Sequence, residues 1–141
     1  MQDIVMFIQH HMVLVLGLIL VLFVLIILEF IKAKQEAARM SPMQVIQLIN
    51  RQNAAIIDIR NKEVFTAGHI IGAISMPVPE LAKKISQLQK FQDRPIIIVC
   101  ANGVESLPAT RLLAKQGIRS SLLAGGIQAW REAEMPLVKG E

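Results

Sequence analysis

Cysteine is nearly missing from this chain: Cys100 is the only one in 141 residues. A single thiol excludes an internal disulfide and excludes zinc sites built from several cysteines. Lysine and arginine are missing from the first 31 residues, since all 15 lie at or after position 32. Aromatic residues make up only 4% of the chain, and no basic cluster has aromatic or motif support. Nucleic-acid binding, which needs such a face, is therefore not expected.

What the chain does have is a long apolar run. "MVLVLGLILVLFVLIIL" (12–28) contains 17 residues without one polar side chain, and Phe30 and Ile31 extend it past Glu29. At 1.5 Å per residue, roughly 20 such residues match a hydrocarbon core about 30 Å thick. A transmembrane helix is expected over 12–31, behind a short extracytoplasmic segment, 1–11. A cleaved signal peptide would want a positive n-region, a shorter apolar stretch and a small-residue cleavage site. Here no basic residue precedes the run, the run is too long, and Lys32, Lys34 and Arg39 follow it. From position 32 onward 15 basic residues stand against 9 acids, a balance of +6. Basic flanks on that side predict the N-terminus outside and the C-terminal domain in the cytoplasm. The same charge favours contact with the anionic headgroups of the lipid bilayer. The run lacks a small-xxx-small pattern, so it reads as an anchor rather than a dimer interface. His10, His11 and Met12 are potential soft-metal ligands. Adjacent histidines on a helix point in different directions, and polar residues are common at an interface, so no metal site is expected there.

Residues 32–39, "KAKQEAAR", form a polar, helix-favouring linker that spans about 12 Å if helical. A domain is expected over 40–141. Ser41 as N-cap and Pro42 at the first position open a helix whose apolar face carries Val45, Ile46, Leu48 and Ile49. "AAIIDIR" (54–60) and "PIIIV" (95–99) read as buried strands, with shorter ones at "AISM" and "SSLLAGG". Between them lie helices at "EVFTAG", "ELAKKISQLQKF" and "SLPATRLLAKQG", the last with Ser106 as N-cap and Gly117 as C-cap. "IQAWREAE" closes the chain as a helix. Strands alternating with helices predict an α/β domain with a mainly parallel central sheet flanked by helices.

Ligands in such folds gather beyond the carboxyl ends of the strands, where Cys100 stands. The loop "CANGVES" offers backbone N–H groups from Ala101 to Ser106, and the following helix points its positive end the same way. Gly103 lets the loop curl so that its amides converge. Such a cup favours the thiolate, the nucleophilic form. A cysteine after an isoleucine run is also a common packing residue, and pattern alone leaves both readings open.

The flanking sequence carries more. "DIRNKEVFTAGHIIGAISMP" runs ungapped through Asp58, Arg60, Glu63, Phe65, Gly68, His69, Ile70, Gly72 and Ala73, and "LLAGGIQAWREAEMPL" places Gly-Gly-x-x-Ala-Trp before a proline. These stretches resemble the opening and closing signatures of rhodanese-like domains, with the cysteine loop where the family has its active site. The resemblance spans about residues 40–138, and the layout resembles small single-pass bacterial inner-membrane members. It implies a sulfurtransferase or sulfane-sulfur carrier. The Cys100 thiolate would take sulfur from a sulfane donor such as thiosulfate, form a persulfide held by the amides of Ala101, Asn102, Gly103, Val104, Glu105 and Ser106, and pass it to a thiol, possibly on a membrane-associated protein. It implies no metal and no organic cofactor. Asp58, Arg60, Glu63 and His69 are expected to be supporting residues, Arg60 by pairing with Glu63 or capping the sheet end. His69 belongs to a turn, where packing and hydrogen bonding suffice. Trp130 is expected in the core.

Glu105 departs from the pattern of the resembled family, in which many members have a basic or hydroxyl residue here that can help to hold the anionic donor. A carboxylate about 5 Å from a thiolate costs roughly 3 kcal/mol at an effective dielectric of 20. A carboxylate turned into solvent costs under about 1 kcal/mol. A retained fold serving as a non-catalytic interaction module, tethered at the membrane, is the alternative that Glu105 favours. Phosphatase chemistry on a longer Cys-x₅-Arg loop is excluded, because Ser106 stands where the clamping arginine would be.

Overall fold

The computed structural model describes residues 1–37 and 39–141. The chain forms two compact units, Met1–Ala37 and Ala38–Glu141. The first holds α1 (Gln2–His10) and α2 (Met12–Ala37). Within α2, Met12–Ile31 is long and apolar enough to cross a membrane. Side chains all round it, Leu14, Leu18, Phe23 and Ile27 among them, are exposed. A helix apolar on every side suits a lipid solvent, and the arrangement is compatible with a single-pass anchor. The backbone of α2 continues through Ala37 into the expected polar linker, of which residue 38 lies outside the described residues.

The second unit is built on five strands: β1 (Arg39–Met40), β2 (Ala55–Asp58), β3 (Ile74–Ser75), β4 (Ile96–Val99) and β5 (Ser121–Leu123). Their order is β1-β5-β4-β2-β3, and every pairing is parallel. The expected sheet is found, with β4 at its centre. All four residues of β2 and of β4 are buried, as a parallel sheet covered on both faces requires. Alternation divides them. Ile57, Ile96 and Ile98 face Leu81, Leu88 and Leu113, while Ile56, Ile97 and Val99 face Val45, Ile127 and Trp130. Each such side chain contributes about 1.5–3 kcal/mol by leaving water.

The covering helices are α3 (Pro42–Gln52), α4 (Lys62–Ala67), α5 (Val78–Leu81), α6 (Ile85–Leu88), α7 (Ser106–Lys115) and α8 (Gly126–Glu132). Ser41 caps helix α3, Pro42 stands in its first turn, and Gln44 completes a reciprocal capping box. Three local expectations differ. Arg39 belongs to the sheet, paired with Leu122, rather than to the linker. The stretch read as one helix from Glu80 to Phe91 divides into α5, α6 and a 3-10 turn, Gln89–Phe91. Ile85, Leu88 and Phe91 recur every third residue, and the tighter 3-10 turn at Gln89–Phe91 brings Phe91 to the core beside the other two. Ser106 is the first helical residue of α7 and not its cap; Glu105, already in helical backbone, occupies that position.

Candidate active site

Strand β4 ends at Val99 beside Asp58 of β2, and Cys100 is the next residue. It continues the Ile96–Ile98 face, and its side chain is 0% exposed within the same apolar cluster. The chain then folds back over it. The Gly103 N–H donates to Cys100 Sγ at 3.0 Å, and Val104 N–H donates to Asn102 Oδ1 at 3.1 Å. Among the described residues, the amides of Ala101, Asn102, Glu105 and Ser106 donate to no protein acceptor. These amides, the start of the ten-residue α7 and the fully buried, unpartnered Ser106 Oγ give the loop an excess of donor character.

Two glycines make this path possible. Gly103 has φ +86, and a Cβ there would lie 2.8 Å from Gly125 N. Gly126 has φ +59, and a Cβ there would lie 2.3 Å from the Cys100 carbonyl oxygen. With both side chains absent, the start of α8 reaches the loop: Ile127 N–H donates to Cys100 O at 2.9 Å, and Gln128 N–H to Ala101 O at 3.0 Å. The Gly-Gly motif near the end of the sequence is thus a clamp on the cysteine loop.

Arg60 pairs with Asp58, not with Glu63. The guanidinium Nη2 meets Asp58 Oδ2 at 2.7 Å, Nε lies 3.0 Å from Oδ1, and Nη2 also donates to the Gly68 carbonyl at 2.7 Å. Both side chains are buried, so this pair fixes the turn after β2 to the start of the His69 segment. Glu63 is exposed in the first turn of α4, where its charge complements the helix end. His69 is buried, stacked on Phe65 with ring centroids 3.8 Å apart, and its Nδ1 lies 2.9 Å from the Phe65 carbonyl. Trp130 is buried and donates to the Pro136 carbonyl at 3.0 Å.

Beside the loop lies a groove of about 620 Å³ whose lining includes Ala101, Glu105, Val64, Val78, Pro108 and Leu112, with Arg60 also on its wall. Glu105 is exposed and turned to this groove, whereas Cys100 is not among the residues that line it. Sequence reasoning missed the groove. Its lining comes from separate stretches, 59–64, 78–81 and 101–112, which no local sequence pattern joins. Among the described residues, no three His, Cys, Asp or Glu side chains lie close enough to hold a metal ion.

Residues 41–133 match the family model described as the rhodanese-like domain. The chain belongs to this family. The rhodanese-like domain thereby includes the Asp58–Arg60 pair, the cysteine loop and the Gly-Gly clamp. Over 143 aligned residues, covering 100% of both chains, the protein is 28% identical to the uncharacterised protein YibN of Escherichia coli strain K12. It is 37% identical over 95 residues to the thiosulfate sulfurtransferase GlpE of Shewanella oneidensis, covering 67% of this chain and 92% of that one. Among solved structures it is similar to a thiosulfate sulfurtransferase from Pseudomonas aeruginosa, with TM-score 0.69 and 27% identity over 80% of this chain and 22% of the other.

Proposed function

We propose that this rhodanese-like protein is a membrane-anchored sulfurtransferase that carries sulfane sulfur on Cys100. The observation that carries the reading is the Gly103 N–H donated to Cys100 Sγ, inside a loop with further unbonded amides at the mouth of α7. Donors arranged in this way stabilise a thiolate and then a persulfide anion. The Cys100 thiolate attacks the outer sulfur of a sulfane donor; with thiosulfate, an Sγ–S bond forms, the donor S–S bond breaks and sulfite leaves with the electron pair. An acceptor thiolate then attacks the outer sulfur of the persulfide, and the pair returns to Sγ. Sulfur moves without a metal or an organic cofactor. Asp58, Arg60 and His69 hold the sheet end and its turn; Glu63 supports α4. The apolar helix anchors the chain in a bacterial inner membrane as a single pass, with the N-terminus outside and the domain cytoplasmic, as the basic flank favours.

The complete burial of Cys100 favours a second reading, a tethered interaction module without catalysis. One experiment separates the two. The full chain in detergent micelles is treated with thiosulfate or an organic persulfide and weighed intact, with Cys100→Ser as control. One added sulfur on the native chain and none on the variant supports the carrier; no adduct from any donor leaves the module.

A further inference from the structure

Apart from the two N-terminal helices, the large apolar side chains left exposed are few: Met43, Val64, Ile71, Val78 and Val104. Three of these five surround the cysteine loop. Val64 and Val78, each 47% exposed, line the groove, and Val104, 69% exposed, stands within the loop next to Glu105. The groove wall carries two charged side chains, Arg60 and Glu105. Arg60 is engaged by Asp58, whereas Glu105 forms no ion pair among the described residues. Among the described residues, Glu105 is therefore the uncompensated charge on a mostly apolar surface.

That combination suits one kind of occupant. A volume of about 620 Å³ falls in the range that encloses a drug-sized ligand or several side chains, roughly 300–1,000 Å³. A small dianion such as thiosulfate would leave the valines wet and would face a carboxylate. A small free thiol would leave them wet too. We infer that the groove docks a cysteine-bearing peptide segment of a partner protein, apolar beside its thiol and carrying a Lys or Arg that meets Glu105. The inference rests on the sulfur-carrier reading of Cys100 and names its acceptor class. In the transfer, the partner's thiol gives its proton to solvent. Once the loop over Cys100 opens, the partner's thiolate attacks the outer persulfide sulfur, the Cys100 Sγ–S bond breaks with its pair left on Sγ, and the partner leaves as the persulfide. Charge at the rim selects the partner by attraction to one sign and repulsion of the other.

The test uses the full chain in micelles and labelled short peptides with serine in place of the cysteine, so that binding is read without sulfur chemistry. The peptides are apolar with a lysine, the same with glutamate, and the lysine peptide with its apolar residues changed to serine. Fluorescence anisotropy is expected to show the lysine peptide bound about tenfold more tightly than the glutamate one, an exposed ion pair giving up to about fivefold and like-charge repulsion the rest. Glu105→Lys is expected to reverse the order, and Val78→Ser to weaken the lysine peptide. For the native chain, the preference is expected to shrink as salt rises. Equal binding of both charges by the native chain overturns the inference, as does a preference that Glu105→Lys leaves unchanged. Sulfur loading on Cys100 without charge-dependent binding removes the docking groove and keeps the carrier. Charge-dependent binding without any sulfur loading keeps the groove and removes the carrier.

Discussion

Asp58 and Arg60 are the side chains on which the geometry of the turn after β2 depends. Removing one member of a buried pair leaves the other charge uncompensated, which costs about 3–5 kcal/mol. Asp58→Asn is therefore expected to lower unfolding stability by about that amount, read from the midpoint of a urea titration of the full chain in micelles. Both residues are visible in the sequence, which offers Arg60 either Glu63 or the sheet end; the pair with Asp58 lies at the sheet end. The i, i+2 spacing at the end of a strand already places the two side chains on one side, and this was the overlooked clue. Glu105 gives a second residue-scale prediction. Its carboxylate is exposed, so repulsion of thiosulfate is worth under about 1 kcal/mol, or up to about fivefold in rate. Glu105→Gln should raise thiosulfate turnover by no more than that, and the gain should fade in high salt. A gain of a hundredfold would mean that the carboxylate faces the sulfur. Which way this side chain turns was beyond sequence, because it depends on the helical backbone that Glu105 already adopts.

At the scale of elements, the contact between α8 and the cysteine loop matters most. Gly126→Ala places a methyl group 2.3 Å from the Cys100 carbonyl oxygen at a positive φ. The loop or the helix start must then give way, with a stability loss of about 1–3 kcal/mol and loss of any sulfur loading. Gly72→Ala is the matched control: φ is +74, but no atom lies within 4 Å of the added methyl. It should cost only backbone strain, about 1 kcal/mol, and leave sulfur loading intact. Mass spectrometry and urea titration of both variants check the contrast. Strands β2 and β4 are legible because the apolar runs 54–57 and 96–99, bounded by polar residues or turns, leave little choice in a two-faced parallel sheet. Strand β1 is not, since Arg39 and Met40 end a polar, helix-favouring stretch with no strand pattern. The helix read from Glu80 to Phe91 failed because a threefold and a 3.6-fold pattern differ little over three apolar residues.

For the whole molecule, the parallel sheet and the apolar helix were both legible, because each rests on long-range pattern rather than on one side chain. The proposed orientation rests on the basic flank, and it predicts that a cytoplasmically active reporter fused after Glu141 is active. Activity of a periplasmic reporter at that position would reverse the assignment. The burial of Cys100 could not be read from sequence, and it has a consequence in time rather than in space. A reagent in solution meets the sulfur only when the loop folded over it opens, breaking the Gly103 N–H to Sγ hydrogen bond. Alkylation of the resting protein should then be slow and should saturate with reagent concentration at the opening rate, as local unfolding dictates. The thiol is a clock for that motion. Between openings it is also shielded from peroxide, so a protein with one cysteine can keep it reduced without a second to rescue it.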